Sequence, residues 1–276
     1  MRLSFTKMQG LGNDFILIDC RDRAISSQLS AAGEMSKKLC HRRFGIGADQ
    51  MLLLEASDSA DFKMRIFNAD GSEVEMCGNG IRCLAKYIWD RGLSSGSVLS
   101  IETRAGIIRP ERAGDMVRVD MGEPVLEGRL IPVNLDGVIK DFPLKIGDKD
   151  FTITCVSMGN PHAVIVVEDV AGFDLLKYGP LIETHELFPR RTNVEFIQAV
   201  DKGRLRMRVW ERGSGETMAC GTGASAAAVA ANLKGLTGRK VAVALAGGEL
   251  QIEWAGDNHV YMTGPAEEVF EGRINI

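Results

Sequence analysis

The feature that most constrains the fold of this chain is an internal repeat. RIFNADGSEVEMCGNG begins at Arg65 and RVWERGSGETMACGTG begins at Arg208, and the two stretches align without a gap over 16 positions. A second, shorter similarity precedes each copy, GNDF at 12–15 and GNPH at 159–162. The copies lie roughly 140 residues apart, which is too far for a short solenoid repeat. We therefore expect two structurally similar halves.

Each copy is predicted to run from a strand through a glycine-containing turn into a helix. In residues 80–89, apolar side chains recur at i, i+3, i+4, i+7 and i+8, which is typical of one buried helical face. Gly92 follows as a stop signal, and a second helix is predicted at 223–233, before Gly235. Alternating or continuous apolar residues predict strands at 116–121, 163–167, 204–211, 249–254 and 259–263.

These elements predict an α+β fold of two pseudo-symmetric strand-rich domains. Each domain is expected to be a β-barrel-like sheet wrapped around a central helix, with the active site in the cleft between the domains. The domains are expected at 1–122 and 123–267, with a C-terminal strand at 268–276 that joins the first half. Equivalent residues of the two copies are then expected to face each other.

Composition excludes several classes of partner. The chain has 276 residues and a formal net charge of -4, which offers no electrostatic reason to expect a nucleic acid. The N-terminus lacks an apolar stretch long enough for a signal peptide, and no run approaches the roughly 20 apolar residues that cross a bilayer. We expect a cytoplasmic protein with no membrane partner, in a compartment that keeps thiols reduced.

Two of the six cysteines differ from the others. A free cysteine usually behaves as a small buried hydrophobe. That role is expected for Cys20, Cys40, Cys83 and Cys155. No Cys/His cluster has zinc spacing, so no metal is expected. Cys77 and Cys220, in contrast, occupy the same position in the two repeat copies, where a Gly-x-Gly sequence opens a helix.

A cysteine followed by glycines at a helix start is suited to acid–base chemistry. The first-turn N–H groups have no partner within the helix, and the helix dipole adds positive potential that favours the thiolate. The glycines let a ligand approach the backbone, and the N–H groups can receive a carboxylate. Two such helix starts facing each other could move a proton across a planar carbon. This arrangement predicts an amino-acid epimerase in which Cys77 and Cys220 are acid and base.

Other interpretations of these glycines and cysteines fit less well. A phosphate-binding loop requires a lysine that is absent here, and residues 221–226 lack the third glycine of a dinucleotide fingerprint. A single nucleophilic cysteine acting with His162 leaves the second cysteine without a purpose. A disulfide between Cys77 and Cys220 is expected only as an inactive by-product.

The chain closely resembles the diaminopimelate epimerases. Matching segments occur in the family's order along nearly the whole chain, so the resemblance does not depend on one motif. They are GLGNDF at 10–15, GIGADQ at 45–50, FNADGSEVEMCGNGIRC at 67–83, GNPHAV at 159–164, RTNVEF at 191–196 and ERGSGETMACGTGASA at 211–226. The resemblance implies the diaminopimelate epimerase-like fold.

The resemblance also implies a reaction. It implies interconversion of LL- and meso-diaminopimelate by two-base transfer of the α-proton, in lysine and peptidoglycan precursor biosynthesis. It implies no cofactor, neither pyridoxal phosphate nor a metal, and it suggests a homodimer. Cys77 and Cys220 are expected to exchange proton roles with reaction direction. Proline racemases and hydroxyproline epimerases are the alternative; they typically carry histidine where this chain has Asn79, and they lack the Glu211-Arg212 pair in this form.

In the family, some positions bind the substrate through their side chains and others bind the carboxylate at the reacting carbon. The resemblance assigns these positions to residues in both halves of this chain. Expected side-chain contacts are Asn13, Gln50, Asn68, Asn160, His162, Asn193, Glu211 and Arg212. Expected backbone N–H contacts to the carboxylate are Gly78, Asn79, Gly221 and Thr222. Physical chemistry agrees, because Arg212 can bind a distal carboxylate bidentately and Glu211 suits an ammonium group.

Two rival functions remain open at this stage. One is an isomerase or lyase of the same fold with a single acidic catalyst, which the loss of one cysteine would have favoured. The other is a non-catalytic amino-acid-binding module. Ligand-induced thermal stabilisation without exchange of the α-proton would favour that second possibility.

Overall fold

A computed structural model of the chain describes residues 2–22 and 31–275. The chain divides into two compact units, Met1–Val119 together with Gly264–Ile276, and Asp120–Thr263. No helix in the described part of the chain is long and apolar enough to cross a bilayer. The elements below are numbered in chain order.

The elements up to the unit boundary are mostly strands. They are β1 (Arg2–Gly10), β2 (Asn13–Asp19), α1 (Ala32–Cys40), β3 (Gln50–Glu55), β4 (Phe62–Asn68), β5 (Glu73–Val74), α2 (Gly78–Asp90), β6 (Ile101–Thr103), β7 (Gly106–Ile108), β8 (Glu111–Ala113) and β9 (Met116–Asp120).

The remaining elements repeat this character. They are a short 3-10 helix (Gly128–Leu130), β10 (Phe142–Ile146), β11 (Lys149–Ser157), β12 (Pro161–Val166), α3 (Leu175–Glu183), β13 (Asn193–Asp201), β14 (Arg204–Glu211), β15 (Gly215–Glu216), α4 (Gly221–Leu233), β16 (Lys240–Leu245), β17 (Gly248–Trp254), β18 (Val260–Gly264) and β19 (Glu267–Asn275).

The first unit is organised around a mixed sheet. Its strand order is β19-β1-β2-β3-β4-β6-β7. The short strand β5, which leads toward α2, pairs with the C-terminal end of β4. β2 runs parallel to β3 and β4 runs parallel to β6, whereas the other neighbours are antiparallel. The predicted C-terminal strand is present as β19, which pairs with β1.

The second unit repeats the same order of antiparallel and parallel strand pairs. Its strands follow the order β10-β11-β12-β13-β14-β16-β17-β18, with β15 beside β14. β12 is parallel to β13 and β14 is parallel to β16, as β2 is to β3 and β4 is to β6 in the first unit. The prediction of an α+β fold with two similar strand-rich domains is therefore confirmed.

An ion pair marks the duplication at the level of side chains. Arg65 Nε lies 2.8 Å from Glu73 Oε1 in the first unit, and Arg208 Nε lies 2.7 Å from Glu216 Oε1 in the second. Each pair joins the strand before the turn to the short strand that leads toward the helix. The turn that delivers each cysteine is thus held in the same way in both units.

The helices α2 and α4 begin at Gly78 and Gly221, each directly after its cysteine and two residues before the predicted start. The apolar face of α2 is buried as predicted, with Ile81, Leu84 and Ile88 at 0% exposure. Gly92 follows the helix with φ of 64°, the left-handed conformation in which glycine avoids a side-chain clash. Six of the 13 residues of α4 are buried alanines, whose small side chains allow close packing against the surrounding strands. The earlier start results from capping by the cysteine itself.

Candidate active site

In the first unit, Cys77 is the N-cap of α2. It has extended backbone angles, and its Sγ accepts a hydrogen bond from the Gly80 N–H at 3.4 Å. The first backbone bond of the helix runs from the Ile81 N–H to the Cys77 carbonyl at 2.9 Å. Cys77 is partly exposed. Its sulfur therefore lies at the positive end of a helix while remaining within reach of solvent.

Asparagine side chains surround this helix start. Asn13 Oδ1 lies 3.8 Å from Cys77 Sγ and accepts a hydrogen bond from Asn79 Nδ2 at 3.2 Å. Asn13 Nδ2 in turn donates to Asp49 Oδ2 at 2.9 Å. The carboxylate of Asp49 is held by Arg42 at 2.6 Å. The chain Arg42–Asp49–Asn13 thereby orients the amide next to the sulfur. Sequence reasoning did not identify Asp49 as part of this arrangement.

Gln50 and Asn68 form a second polar pair in the first unit. They are cross-strand partners on β3 and β4, and Gln50 Nε2 donates to Asn68 Oδ1 at 2.8 Å. Asn68 also donates to Ser72 Oγ at 3.0 Å. Gln50 Oε1 is buried, and no hydrogen-bond partner is present for it among residues 2–22 and 31–275. A buried amide oxygen of this kind is suited to accept from a ligand ammonium group.

Asp14 makes the loop beside Asn13 sensitive to acid. Burial alone would raise the pKa of this carboxyl, but hydrogen bonds from Arg42 and Lys7 outweigh burial and lower the pKa to about 2. The Lys7 Nζ lies 2.6 Å from Asp14 Oδ2, and an Arg42 nitrogen lies 2.8 Å from Oδ1. Asp14 also accepts from the Asp49 backbone N–H at 2.9 Å. These contacts join the start of β2 to the loop before β3.

In the second unit, Cys220 is the N-cap of α4 in the same geometry. Its Sγ accepts from the Gly223 N–H at 3.4 Å, and the Thr222 hydroxyl lies 3.5 Å from the sulfur. Asn160 Nδ2 donates to Thr222 Oγ1 at 3.3 Å. Asn160, Thr222 and Cys220 are thus brought together as Asn13, Asn79 and Cys77 are in the first unit.

The polar surroundings of Cys220 include a buried pair that has no counterpart beside Cys77 among residues 2–22 and 31–275. His162 Nδ1 lies 2.7 Å from Glu195 Oε1, and both side chains have 0% exposure. His162 Nε2 lies 2.9 Å from Asn160 Oδ1. Sequence reasoning missed Glu195. The available signal was a glutamate in the otherwise apolar run of β13, on the same strand face as Asn193.

Asn193, Glu211 and Arg212 lie at the ends of β13 and β14. The Asn193 amide donates to the Pro161 carbonyl at 2.8 Å, and its Oδ1 accepts from the Arg212 backbone N–H at 3.0 Å. Glu211 accepts a short hydrogen bond from the Thr217 hydroxyl. The Arg212 guanidinium is exposed. An exposed guanidinium anchored by its backbone can reach an anionic ligand.

Burial changes the acid–base properties of the cysteines. Burial is the main cause that raises the pKa of Cys20, Cys83 and Cys155 to about 12, and it also raises the pKa of Cys40. The expectation that these four are buried thiols is confirmed. Burial likewise raises the pKa of Cys220 well above its ordinary value, and Glu211 and Glu195 add to this effect. At Cys220, burial therefore outweighs the helix-start donors that favour a thiolate.

The fold is shared with solved structures of a phenazine biosynthesis protein and of a hydroxyproline epimerase. A phenazine biosynthesis protein of the PhzF family from Bacillus anthracis matches with a TM-score of 0.70 and 18% identity, and all of each chain is covered. A hydroxyproline epimerase from Agrobacterium vitis matches with a TM-score of 0.69 and 16% identity, covering 99% of this chain and 91% of that one. Identities this low establish the fold alone.

The sequence comparisons are far more specific. The sequence model of the diaminopimelate epimerase family matches residues 5–127 and 154–269. A diaminopimelate epimerase from Moorella thermoacetica is 55% identical over 277 residues, covering 98% of each chain. One from Acetivibrio thermocellus is 51% identical over 282 residues, covering 99% of each. This chain belongs to the diaminopimelate epimerase family.

Proposed function

We propose that this protein is an epimerase that interconverts LL- and meso-diaminopimelate, a step toward lysine and peptidoglycan precursors. Family membership and identities of 51–55% with diaminopimelate epimerases support this substrate. The observation that carries the chemistry is the matched pair of helix starts. In both, a cysteine sulfur accepts a backbone N–H at 3.4 Å.

The proposed reaction requires Cys77 and Cys220 to reach the same α-carbon from opposite faces. A thiolate removes the α-proton, so that the C–H bond breaks and an S–H bond forms. The other thiol then delivers its proton to the opposite face and becomes a thiolate. One thiolate and one thiol are needed, because two thiolates repel each other and two thiols leave no base. The active pair therefore predicts a bell-shaped dependence of activity on pH.

The carbanion next to a carboxylate is the difficult intermediate. We infer that first-turn N–H groups of α2 and α4 stabilise it through the carboxylate, with Gly78, Asn79, Gly221 and Thr222 as the donors. Charge developing on the carboxylate oxygens is then met by dipoles already oriented by the helix. Removal of one such donor typically lowers a rate by about 10²–10³-fold.

The remaining polar groups are proposed to bind the rest of the substrate. We assign this role to Asn13, Gln50, Asn68, Asn160, His162, Asn193, Glu211 and Arg212. For Gln50, the supporting observation is its buried Oε1, which can accept a hydrogen bond from an ammonium group of the substrate. The exposed Arg212 supports a bidentate contact with the distal carboxylate, which would fix the end of the molecule that reacts.

Turnover in deuterated water tests this proposal. The wild-type protein should introduce solvent deuterium at the α-carbon of diaminopimelate during inversion. Cys77→Ala and Cys220→Ala should each lose activity by at least about 10²-fold, because each removes an acid–base group. Cys83→Ala is the matched control, since Cys83 is a fully buried thiol on the same helix as Cys77.

Three results would contradict the proposal. Full activity in either alanine variant at the helix starts would exclude two-base transfer. Stabilisation by diaminopimelate with no deuterium incorporation would instead identify a binding module. Inversion of L-proline or trans-4-hydroxy-L-proline in place of diaminopimelate would favour the racemase alternative.

We also propose that the protein is a cytoplasmic homodimer. Family membership supports this assembly, and six free cysteines support a reducing compartment. Light scattering coupled to size-exclusion chromatography tests the oligomeric state directly. A mass equal to one 30.0 kDa chain would exclude the dimer.

A further inference from the structure

The two helix starts are alike in geometry but differ in charge. Arg82 on α2 and Ser225 on α4 occupy the same position, each five residues after its cysteine. Arg82 Nη1 donates to the Gly78 carbonyl at 3.1 Å, and Ser225 Oγ donates to the Gly221 carbonyl at 2.9 Å. The same hydrogen bond is therefore made by a cation in one unit and by a neutral hydroxyl in the other.

Arg82 places a buried positive charge one turn from Cys77. The residue has 0% exposure, and its Nε also donates to the Pro265 carbonyl at 3.2 Å. Burial lowers the pKa of Arg82, whereas Cys83 and Cys77 act in the opposite direction. A guanidinium nevertheless stays protonated in proteins. Its carbonyl acceptors carry no net charge, and Cys83 remains a thiol with a pKa of about 12.

The side chains behind the two helix starts differ as well. A Cβ placed on Gly80 would meet Leu52 Cδ2 at 3.2 Å and Phe15 Cε1 at 3.4 Å. A Cβ placed on the equivalent Gly223 would meet Glu195 Oε1 at 2.8 Å. An apolar pair behind Cys77 is thus replaced by the His162–Glu195 pair behind Cys220.

The pair behind Cys220 supplies no net positive charge. If the shared proton lies on the imidazole, a cation neighbours an anion; if it lies on the carboxyl group, both side chains are neutral. Burial raises the pKa of Glu195, and its contacts with His162 act in the opposite direction. A thiolate at Cys220 would therefore face a buried carboxyl group without a compensating cation in this pair.

Other charged groups near the two sulfurs do not reverse this difference. Near Cys77, Asp49 lies beyond Asn13 and is already paired with Arg42. Near Cys220, Glu211 adds negative charge and Cys155 is a neutral buried thiol. On neighbouring strands, acidic side chains of β17 are paired with basic ones, as Glu249 with Arg204 at 2.7 Å and Glu253 with Lys240 at 2.9 Å.

Hydrogen bonds to the sulfurs also affect which cysteine is the thiolate. The Thr222 hydroxyl can donate to Cys220 and favours a thiolate there, but burial and the two carboxyl groups outweigh it. At Cys77, Asn13 Oδ1 is a distant acceptor at 3.8 Å and has the Asn79 amide as a closer donor. A full buried charge acts over a longer distance than these single dipoles.

We propose that the ligand-free enzyme rests with Cys77 as the thiolate and Cys220 as the thiol, and that Arg82 is the positioning residue that sets this assignment. The assignment rests on the proposed two-base function, because it says which cysteine acts first as base. For a substrate whose α-proton faces Cys77, the base is then already deprotonated when the substrate binds. For the other configuration, a proton must first move from Cys220 to Cys77.

Ultraviolet absorbance of the thiolate, followed against pH in the ligand-free protein, tests the assignment. The other cysteines do not interfere near neutral pH, because burial raises the pKa of Cys20, Cys83 and Cys155 to about 12 and also raises that of Cys40. The wild type should show a single thiolate step at lower pH than an ordinary free thiol, whose pKa is about 8.5. The step should be lost in Cys77→Ser and retained in Cys220→Ser.

The role of Arg82 is tested with the neutral variant Arg82→Met. The thiolate step should move to higher pH, because the buried cation that stabilises the anion is gone. Ser225→Ala is the matched control; it removes the equivalent hydrogen bond on α4 and should leave the step unchanged. The cysteine variants keep the assignment testable even if Arg82→Met does not fold.

The outcomes separate this inference from the proposed function. Retention of the step in Cys77→Ser, its loss in Cys220→Ser, or its absence from the wild type would overturn the assignment. An unchanged step in folded Arg82→Met would overturn the role of Arg82. Deuterium incorporation that depends on both cysteines would uphold the two-base function in each of these cases.

Discussion

The buried contact between His162 and Glu195 lends itself to a double-mutant cycle, because the first unit shows which residues can replace the pair. The residues behind Cys77 are Phe15 and Leu52, both with 0% exposure. The single variants His162→Phe and Glu195→Leu each leave one buried polar partner without the other. The double variant replaces the whole pair with the apolar combination already used in the first unit.

The expected magnitudes follow from the 2.7 Å hydrogen bond and complete burial of both side chains. Leaving His162 without its partner should cost about 1–3 kcal/mol of unfolding free energy. Leaving Glu195 unpaired should cost more, about 3–5 kcal/mol if the carboxyl group stays charged. The double variant leaves neither group, so its loss should be smaller than the sum of the single losses by about 1–3 kcal/mol.

Urea unfolding monitored by tryptophan fluorescence measures this coupling. Trp210 and Trp254 both lie in the second unit and report on its unfolding. Glu253→Leu is a suitable control, because it removes a carboxylate from a pair with Lys240 whose lysine side chain is 76% exposed; it should change stability by less than about 1 kcal/mol. A double variant whose loss equals the sum of the single losses would refute the reasoning.

Two further predictions concern the helix starts and the acid range. Gly223→Ala should lower the melting temperature and activity more than Gly80→Ala, because the added Cβ lies 2.8 Å from Glu195 Oε1 in the first case and 3.2 Å from the flexible end of Leu52 in the second. Thermal unfolding of both variants checks the order, and an equal or larger effect of Gly80→Ala would contradict it. Asp14→Asn should cost stability at neutral pH and progressively less as pH falls, because the ion pairs of Asp14 stabilise the folded state above its ordinary pKa of 3.8 and are lost toward its folded pKa of about 2. Urea midpoints between about pH 5 and about pH 2.5 measure this, and a constant difference from the wild type would argue against it.

Much of the fold was predictable because the repeat and the side-chain periodicity are local properties. The strands at 204–211, 249–254 and the C-terminus were predicted to within one residue of β14, β17 and β19. The helix starts were predicted two residues late, because periodicity begins with the first apolar residue and does not register a capping cysteine. The pairing of Cys77 with Cys220 as equivalent positions was also evident from alignment of the two copies.

Only the tertiary structure identified the residues that make the two helix starts unequal. The sequence alone shows Arg82 as a charged residue on a helix and Glu195 as a charged residue on a strand, and such residues are usually exposed. Their burial depends on neighbours far away in sequence: Arg82 contacts the Pro265 carbonyl, and Glu195 contacts His162. Local patterns determined where the cysteines lie on the elements, whereas long-range packing decided which buried charges surround each sulfur, because the free energy of a buried charge depends on every group packed against it.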